Sequence, residues 1–344
     1  MSYLQVLKRS FLVLCILLCG YTDTLQSNEK FLAFTPVSTR EELDNCKRIA
    51  KEQAVPLLVV FLGSGWCPWS EKIENEIFSD AKFTEILQGK CCLVKIEMPT
   101  QASSDPSFTA VQELTSEYDI KESPTLLLLS KEGEVIAKEG YFPFEPAAFA
   151  KHLKESFDTF NEIKEKLQTQ PLSEALLEEL HQKARTLGFH GLQEEIVNQG
   201  ITIGKEPFFF LEKFERLVKL RKKKDPEVHA LRKKILSLDP KNVKKAHLRL
   251  AMIDFVNRSE HKKTKKEPKV VVDPLISYVK QFGKGDRENL WKIEMMIAQY
   301  LFSKKETHLA VKHAERSLEA APEVVRSDVM ETLAYLKETA SKNK

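Results

Sequence analysis

The chain has 344 residues, 42% of them hydrophobic and 30% charged, with a formal net charge of +3. At roughly 150 residues per domain this suggests about two domains, and the composition excludes a disulfide-stapled miniprotein, a collagen-like chain and a disordered one. The charge is uneven: residues 31–160 sum to −8, whereas residues 201–270 carry 21 Lys or Arg against 9 Asp or Glu, which argues for two domains of different character.

The first element is the uncharged apolar stretch Phe11 to Gly20 behind Lys8 and Arg9. About ten residues cannot span a bilayer, so residues 1–22 read as a secretory signal peptide. Leu17, Leu18 and Cys19 loosely resemble a bacterial lipobox, although Leu18 stands where a small residue is wanted. Membrane attachment is therefore expected only through an uncleaved or lipidated N-terminus. Asn257-Arg258-Ser259 is a glycosylation sequon that matters only in a eukaryotic secretory pathway, and the terminal Ser-Lys-Asn-Lys is not a K-D-E-L signal. The expected location is the bacterial periplasm, with a secretory lumen or a lipid-anchored form as alternatives.

Residues 31–158 alternate strands and helices in the manner of βαβ units. A strand over Phe31 to Val37 precedes a helix over Thr39 to Gln53 whose apolar stripe holds Leu43, Cys46, Ile49 and Ala50, which makes Cys46 a core residue. The buried-strand run Pro56 to Leu62 leads into Gly63-Ser64-Gly65-Trp66-Cys67-Pro68-Trp69-Ser70 and a helix over Glu71 to Leu87. Next come a strand over Cys91 to Met98, a helix over Phe108 to Tyr118, and Ser123-Pro124 entering an apolar strand. A hairpin at Lys131 to Glu134 then leads to another strand and a helix. Adjacent Cys91 and Cys92 cannot easily bridge each other, because a disulfide needs Cα atoms about 4.4 to 6.8 Å apart and neighbours sit about 3.8 Å apart.

Cys67 stands where a strand meets a helix. Free N–H groups and the positive dipole end of a helix N-terminus favour a thiolate, which makes Cys67 a candidate nucleophile. Pro68 suits the first helical turn, Trp66 and Trp69 flank the sulfur, and Ser70 lies one turn on, within reach of a hydrogen bond to it.

This order of elements, with Trp-Cys after the second strand and Ser-Pro-Thr before the fourth, resembles the thioredoxin fold, an α/β fold with a mixed central sheet. The resemblance implies a cis-proline at Pro124 beside the nucleophile and a peptide-docking edge at Ser123 and Pro124, completed by Trp66, Pro68 and Trp69. The sequence departs from the redox-active members in two places: Ser70 replaces the second cysteine of C-x-x-C, and Phe61 occupies the position of the family's buried carboxylate. The C-P-x-S pattern is similar to the anterior-gradient proteins, monothiol members of the protein disulfide isomerase family. Monothiol glutaredoxins share C-x-x-S, but no Gly-Gly follows the Pro124 strand here. A lone thiolate can form a mixed disulfide but cannot expel its client by an internal bridge. Cys91 and Cys92 cannot resolve Cys67 if their strand runs parallel to the second, since they then sit at the other end of the sheet.

Residues 159–344 read as an all-α domain, with apolar stripes at Leu176, Leu177 and Leu180, at Phe208 to Leu220, and at Leu248 to Val256. Within it, residues 288–337 resemble a tetratricopeptide helix pair, on Ala298, Ala310, Ser317 and Pro322, and Leu236 to Asn242 is another repeat-like helix terminus. The basic runs Arg221 to Lys224, Arg232 to Lys234 and Lys262 to Lys266 lack interleaved aromatics, so nucleic acid is not expected; solvated helix faces or an acidic partner suit them better. The eight histidines show no paired metal spacing and there is no phosphate loop, so neither metal nor cofactor is expected. The function expected is an exported, isomerase-like thiol-disulfide exchange protein. Its catalytic pair is Cys67 and Ser70, its clients are cysteine-bearing proteins, and an external thiol or redox partner assists. The alternative is a redox-inactive scaffold whose helical domain engages a partner.

Overall fold

The structure, a computed structural model, describes residues 34–99, 106–143, 145–220, 225–261 and 264–342. The expected signal peptide and the run Arg221 to Lys224 lie outside the described residues. By compactness the described residues up to Pro171, with Gln182–Gln193, form one unit; Leu172–His181 and Glu194 onward form another.

The first unit is a five-stranded sheet with helices. Its strands are β1 (Thr35–Pro36), β2 (Leu57–Leu62), β3 (Cys92–Glu97), β4 (Thr125–Leu129) and β5 (Val135–Gly140), in the spatial order β1-β3-β2-β4-β5. β1, β3 and β2 run parallel, while β4 pairs antiparallel with both β2 and β5. The central strand β2 is buried along its whole length, as its unbroken apolar run requires. On one face Leu57, Val59 and Phe61 pack with Val94, Ile96, Leu127 and Leu129 against Leu43, Cys46 and Ala50 of helix α1 (Arg40–Glu52) and Val111 and Leu114 of a later helix, Pro106–Glu117. Thr39 caps α1 in a reciprocal box with Glu42, the two side chains each satisfying the other's backbone N–H.

The stretch expected as one helix from Glu71 to Leu87 is instead broken. Helix α2 (Pro68–Ile73) continues into a π turn over Glu74–Phe78, stops at Ser79, and helix α3 (Ala81–Leu87) restarts with Asp80 as its N-cap. The Asp80 carboxylate accepts from the Lys82 N–H at 2.8 Å. The π turn holds one extra residue, and it sends Ile77 and Phe83 inward together, with Phe78, Phe83 and Phe149 in a chain of ring contacts. Helix α4 (Pro106–Glu117) precedes β4, and the long α5 (Pro146–Thr169) follows β5.

The remainder is helical: α6 (Glu174–Thr186), α7 (His190–Ile203), α8 (Phe208–Lys219), α9 (Pro226–Leu238), α10 (Ala246–Glu260), α11 (Pro268–Phe282), α12 (Arg287–Ser303), α13 (Thr307–Ala320) and α14 (Glu323–Lys342). Its core passes from helix to helix. Leu250 and Ile253 of α10 close a cluster with α8 and α9, while Ala251 of α10 opens the next with α11, α12 and α13. In the pair α12–α13 the small residues Ala298, Ala310 and Ser317 are fully buried, and the Ser317 hydroxyl donates to the Trp291 carbonyl at 2.8 Å. The turn after α9 is held by buried polar groups: Asp239 accepts from the Lys244 and Ala246 N–H groups, and Asn242, in the left-handed region, reaches the Tyr278 hydroxyl at 2.8 Å. The basic run at Arg232 is more than a solvated face, since Arg232 pairs with Asp254 at 2.6 Å and lies over the Phe214 ring. Asn257 of the sequon lies within α10, and Thr264–Lys266 of the third basic run form a 3-10 turn. No helix among the described residues is long and apolar enough to cross a membrane.

Candidate functional site

Cys67 is the N-cap residue of α2, in an extended conformation with Pro68 at the first helical position. The loop that delivers it is a tight turn. The Trp66 and Cys67 N–H groups both donate to the Gly63 carbonyl, at 3.1 and 2.7 Å, and Gly65 takes a φ of 79° that disfavours any side chain. Gly63 is required for a different reason: a Cβ there would lie 2.5 Å from the Trp66 ring. The Trp66 indole N–H donates to the Met98 carbonyl at 2.8 Å, which pins the ring across the end of β3.

The Ser123–Pro124 peptide is cis and stands directly against the cysteine. The Cys67 thiol donates to the Ser123 carbonyl, Sγ to O 3.2 Å, and the Ser70 and Ser123 hydroxyls are 2.7 Å apart. Ser70 is fully buried and also accepts from the Gly63 N–H at 2.9 Å. It therefore ties the loop before Cys67 to the loop before Pro124. Burial pushes the Cys67 thiol up. The Ser70 hydroxyl, the Ser70 and Trp69 backbone N–H groups and the Ser123 hydroxyl outweigh that burial and hold the thiol below its ordinary value.

Around Cys67, itself only 7% exposed, Trp66 and Trp69 are 45% and 56% exposed. Trp69 packs on Tyr141 with ring centroids 5.6 Å apart, and the Lys72 ammonium lies over its face. The structure thus brings together every residue singled out from the sequence at this site: Trp66, Cys67, Pro68, Trp69, Ser70, Ser123 and Pro124. It adds Gly63, Met98 and Tyr141. Tyr141 had a signal in the sequence, because a hairpin partner of β4 must end where β4 begins; Thr125 pairs with Gly140, so the residue after Gly140 falls at the Cys67 end.

The adjacent cysteines at the start of β3 are remote. β3 runs parallel to β2 with Leu57 opposite Cys92 and Leu62 opposite Glu97, so Cys91 and Cys92 begin the strand at the end away from Cys67, roughly 15 Å off at about 3.3 Å per residue. All four described cysteines are free. Burial pushes Cys91 up to about 12, and burial likewise raises Cys46 and Cys92. The position of the family carboxylate is filled by Phe61, fully buried in the apolar core. Among the described residues no cluster of three or more His, Cys, Asp or Glu side chains is placed to hold a metal ion.

A family model for the thioredoxin-like domain matches residues 43–157. The thioredoxin-related protein DsbJ of Chlamydia pneumoniae is 32% identical over 298 residues, which cover 84% of this chain and 84% of that protein. The disulfide bond reductase DsbH of Chlamydia pneumoniae is 27% identical over 107 residues, covering 30% of this chain and 64% of that protein. Among solved structures, a DsbH oxidoreductase aligns with 23% identity and a TM-score of 0.33, covering 39% of this chain and 92% of that one. The chain therefore belongs to the thioredoxin-like proteins, in the family that includes the thioredoxin-related protein DsbJ.

Proposed function

We propose that this thioredoxin-fold thiol-disulfide protein works through a single nucleophile, Cys67, forming mixed disulfides with client proteins in an isomerase-like exchange. The observation that carries the reading is the lowered Cys67 thiol at a helix N-terminus, set against the backbone that precedes a cis-proline. The Cys67 thiolate attacks one sulfur of a client disulfide. A bond forms between the Cys67 sulfur and that client sulfur, the client S–S bond breaks, and the second client sulfur leaves as a thiolate that takes up a proton. When another client thiolate attacks the client sulfur of the mixed disulfide, Cys67 departs as the thiolate and the client is re-paired with no net oxidation. When instead an external thiol attacks the Cys67 sulfur, the client leaves reduced, and a second external thiol then frees Cys67 as the two external thiols become a disulfide. The chemistry requires no metal or organic cofactor.

Ser70 and Ser123 hold the thiolate, while Trp66, Pro68, Trp69 and the Ser123–Pro124 edge receive the client chain. The apolar stretch at Phe11 to Gly20 supports export to a compartment where client disulfides form. Phe61 and Ser70 favour the second reading, a scaffold without turnover, since both positions of the usual proton and thiol relay are lost. The test is incubation of the full chain with a client bearing mispaired disulfides, scoring client recovery and reductant-sensitive adducts by mass. Adducts at Cys67, and recovery lost in Cys67→Ser, are expected. Equal recovery with Cys67→Ser and no adduct would overturn the proposal in favour of the scaffold.

A further inference from the structure

Within the helical unit, a cleft of about 510 Å³ opens between the end of α11, the start of α12 and the end of α13. Arg287, Leu290 and Glu294 of α12, spaced three and four residues apart, present one helix face to it, and Lys284, Arg316 and Glu319 stand on its walls. Gly283 allows the α11–α12 turn to close this tightly, since a Cβ there would lie 2.5 Å from the Val279 carbonyl and 3.1 Å from Leu290.

The charges around this cleft are unevenly satisfied. Neighbouring cations have acidic partners: Lys245 with Asp286, Lys292 with Glu288 and Lys337 with Glu315. Glu294 is 2% exposed and already engaged by the His313 Nδ1 at 2.6 Å. Lys284, Arg287 and Arg316 are exposed, and among the described residues none of the three makes an ion pair or a side-chain hydrogen bond. Three cations thus converge on one concavity in which Glu294 is committed to His313 and Glu319 is the remaining lining carboxylate.

We propose that this cleft binds a carboxylate-bearing peptide segment, held by Arg287, Arg316 and Lys284. A guanidinium offers paired N–H donors that match a carboxylate, and two of them at one cleft favour such a group over water. The lining also contains the exposed Glu319, whose carboxylate can accept N–H bonds from a peptide backbone, donors that a phosphodiester chain lacks. Leu290 and Val279 supply apolar surface for side-chain methylenes. The inference stands apart from the Cys67 chemistry and survives or fails without it.

The test uses the full chain and fluorescence anisotropy with three labelled pentapeptides. One is acetyl-Asp-Glu-Leu-Glu-Asp-amide, the second its Asn/Gln counterpart as an amide, and the third that counterpart with a free C-terminal carboxylate. Saturable binding of the first or third, without the second, is expected; the first alone assigns side-chain carboxylates and the third alone a chain terminus. Arg287→Gln and Arg316→Gln should each weaken that binding about tenfold or more, with circular dichroism, melting temperature and Cys67 alkylation unchanged. Equal binding of the neutral amide, absence of saturable binding by all three, displacement by a short single-stranded oligonucleotide at matched charge, or unchanged affinity in both variants overturns the proposal.

Discussion

Ser70→Ala tests how the site holds its sulfur. The substitution removes one hydroxyl and with it the bonds to the Gly63 N–H at 2.9 Å and to the Ser123 hydroxyl at 2.7 Å. Each such bond contributes about 0.5–1.5 kcal/mol net, and the Gly63 N–H is left buried without its acceptor, so the chain should lose about 2–3 kcal/mol. The thiolate loses the largest of the contributions that lower the Cys67 thiol, and its titration should move upward. The two effects have different pH dependences. A thiol whose folded value is depressed stabilises the fold fully above the unfolded value of about 8.5 and loses that contribution as pH falls through the folded value. The stability gap between wild type and Ser70→Ala should therefore be wider at about pH 9.5 than at about pH 6. Urea unfolding at both pH values, with pH-dependent alkylation of Cys67, measures all three quantities. A Cys67 titration unmoved by the substitution would refute the assigned role of Ser70, and an unchanged unfolding midpoint would refute its role as a tie between the two loops.

Ser70→Cys restores a second thiol one turn from Cys67, and the oxidised variant should lose two hydrogens by mass and gain turnover in a disulfide-reduction assay; a variant that stays fully reduced under mild oxidant contradicts the placement of that side chain. Labelling the folded chain with iodoacetamide at about pH 8 should modify Cys67 first and leave Cys91 untouched until denaturant is added, because burial lifts Cys91 to about 12. The same burial makes Cys91 an alkaline liability: the unfolded thiol ionises near 8.5 while the folded one does not, so its contribution to stability declines as pH rises above about 8.5. In Gly63→Ala the new methyl would meet the Trp66 ring, which should swing outward and release the Met98 carbonyl, at a cost of about 1 kcal/mol and with a red-shifted tryptophan emission. An unaltered spectrum and midpoint would show that the ring does not depend on that glycine.

Much of the first unit was legible because its signals are local. The apolar run at Leu57–Leu62, the turn glycines and the proline after Cys67 each specify backbone within a few residues, and together they place a thiol at a helix terminus. The remoteness of Cys91 and Cys92 followed from strand direction alone. The break between α2 and α3 was missed because Ile73 and Ile77 keep helical spacing. The six-residue step from Ile77 to Phe83 and the Ser79-Asp80 pair were the overlooked signs of a π turn followed by a new cap. Contacts made across long loops had no local signature at all. The Trp66 bond to Met98 spans 32 residues and the Asn242 bond to Tyr278 spans 36, and nothing in either segment names its partner.

The parallel pairing of β2 with β3 carries a kinetic consequence. With Cys91 and Cys92 at one end of the sheet and Cys67 at the other, the described residues of the first unit offer Cys67 no internal partner, so its oxidation to a disulfide with another molecule is a second-order event. The rate must scale with the concentration of whatever brings the other sulfur. A dithiol site relaxes by itself once it has reacted, at a rate fixed by its own geometry. Under the proposed exchange the lifetime of the captured state is set from outside the chain, by the thiols the client itself carries and by those of the surroundings, and the occupancy of Cys67 becomes a readout of both.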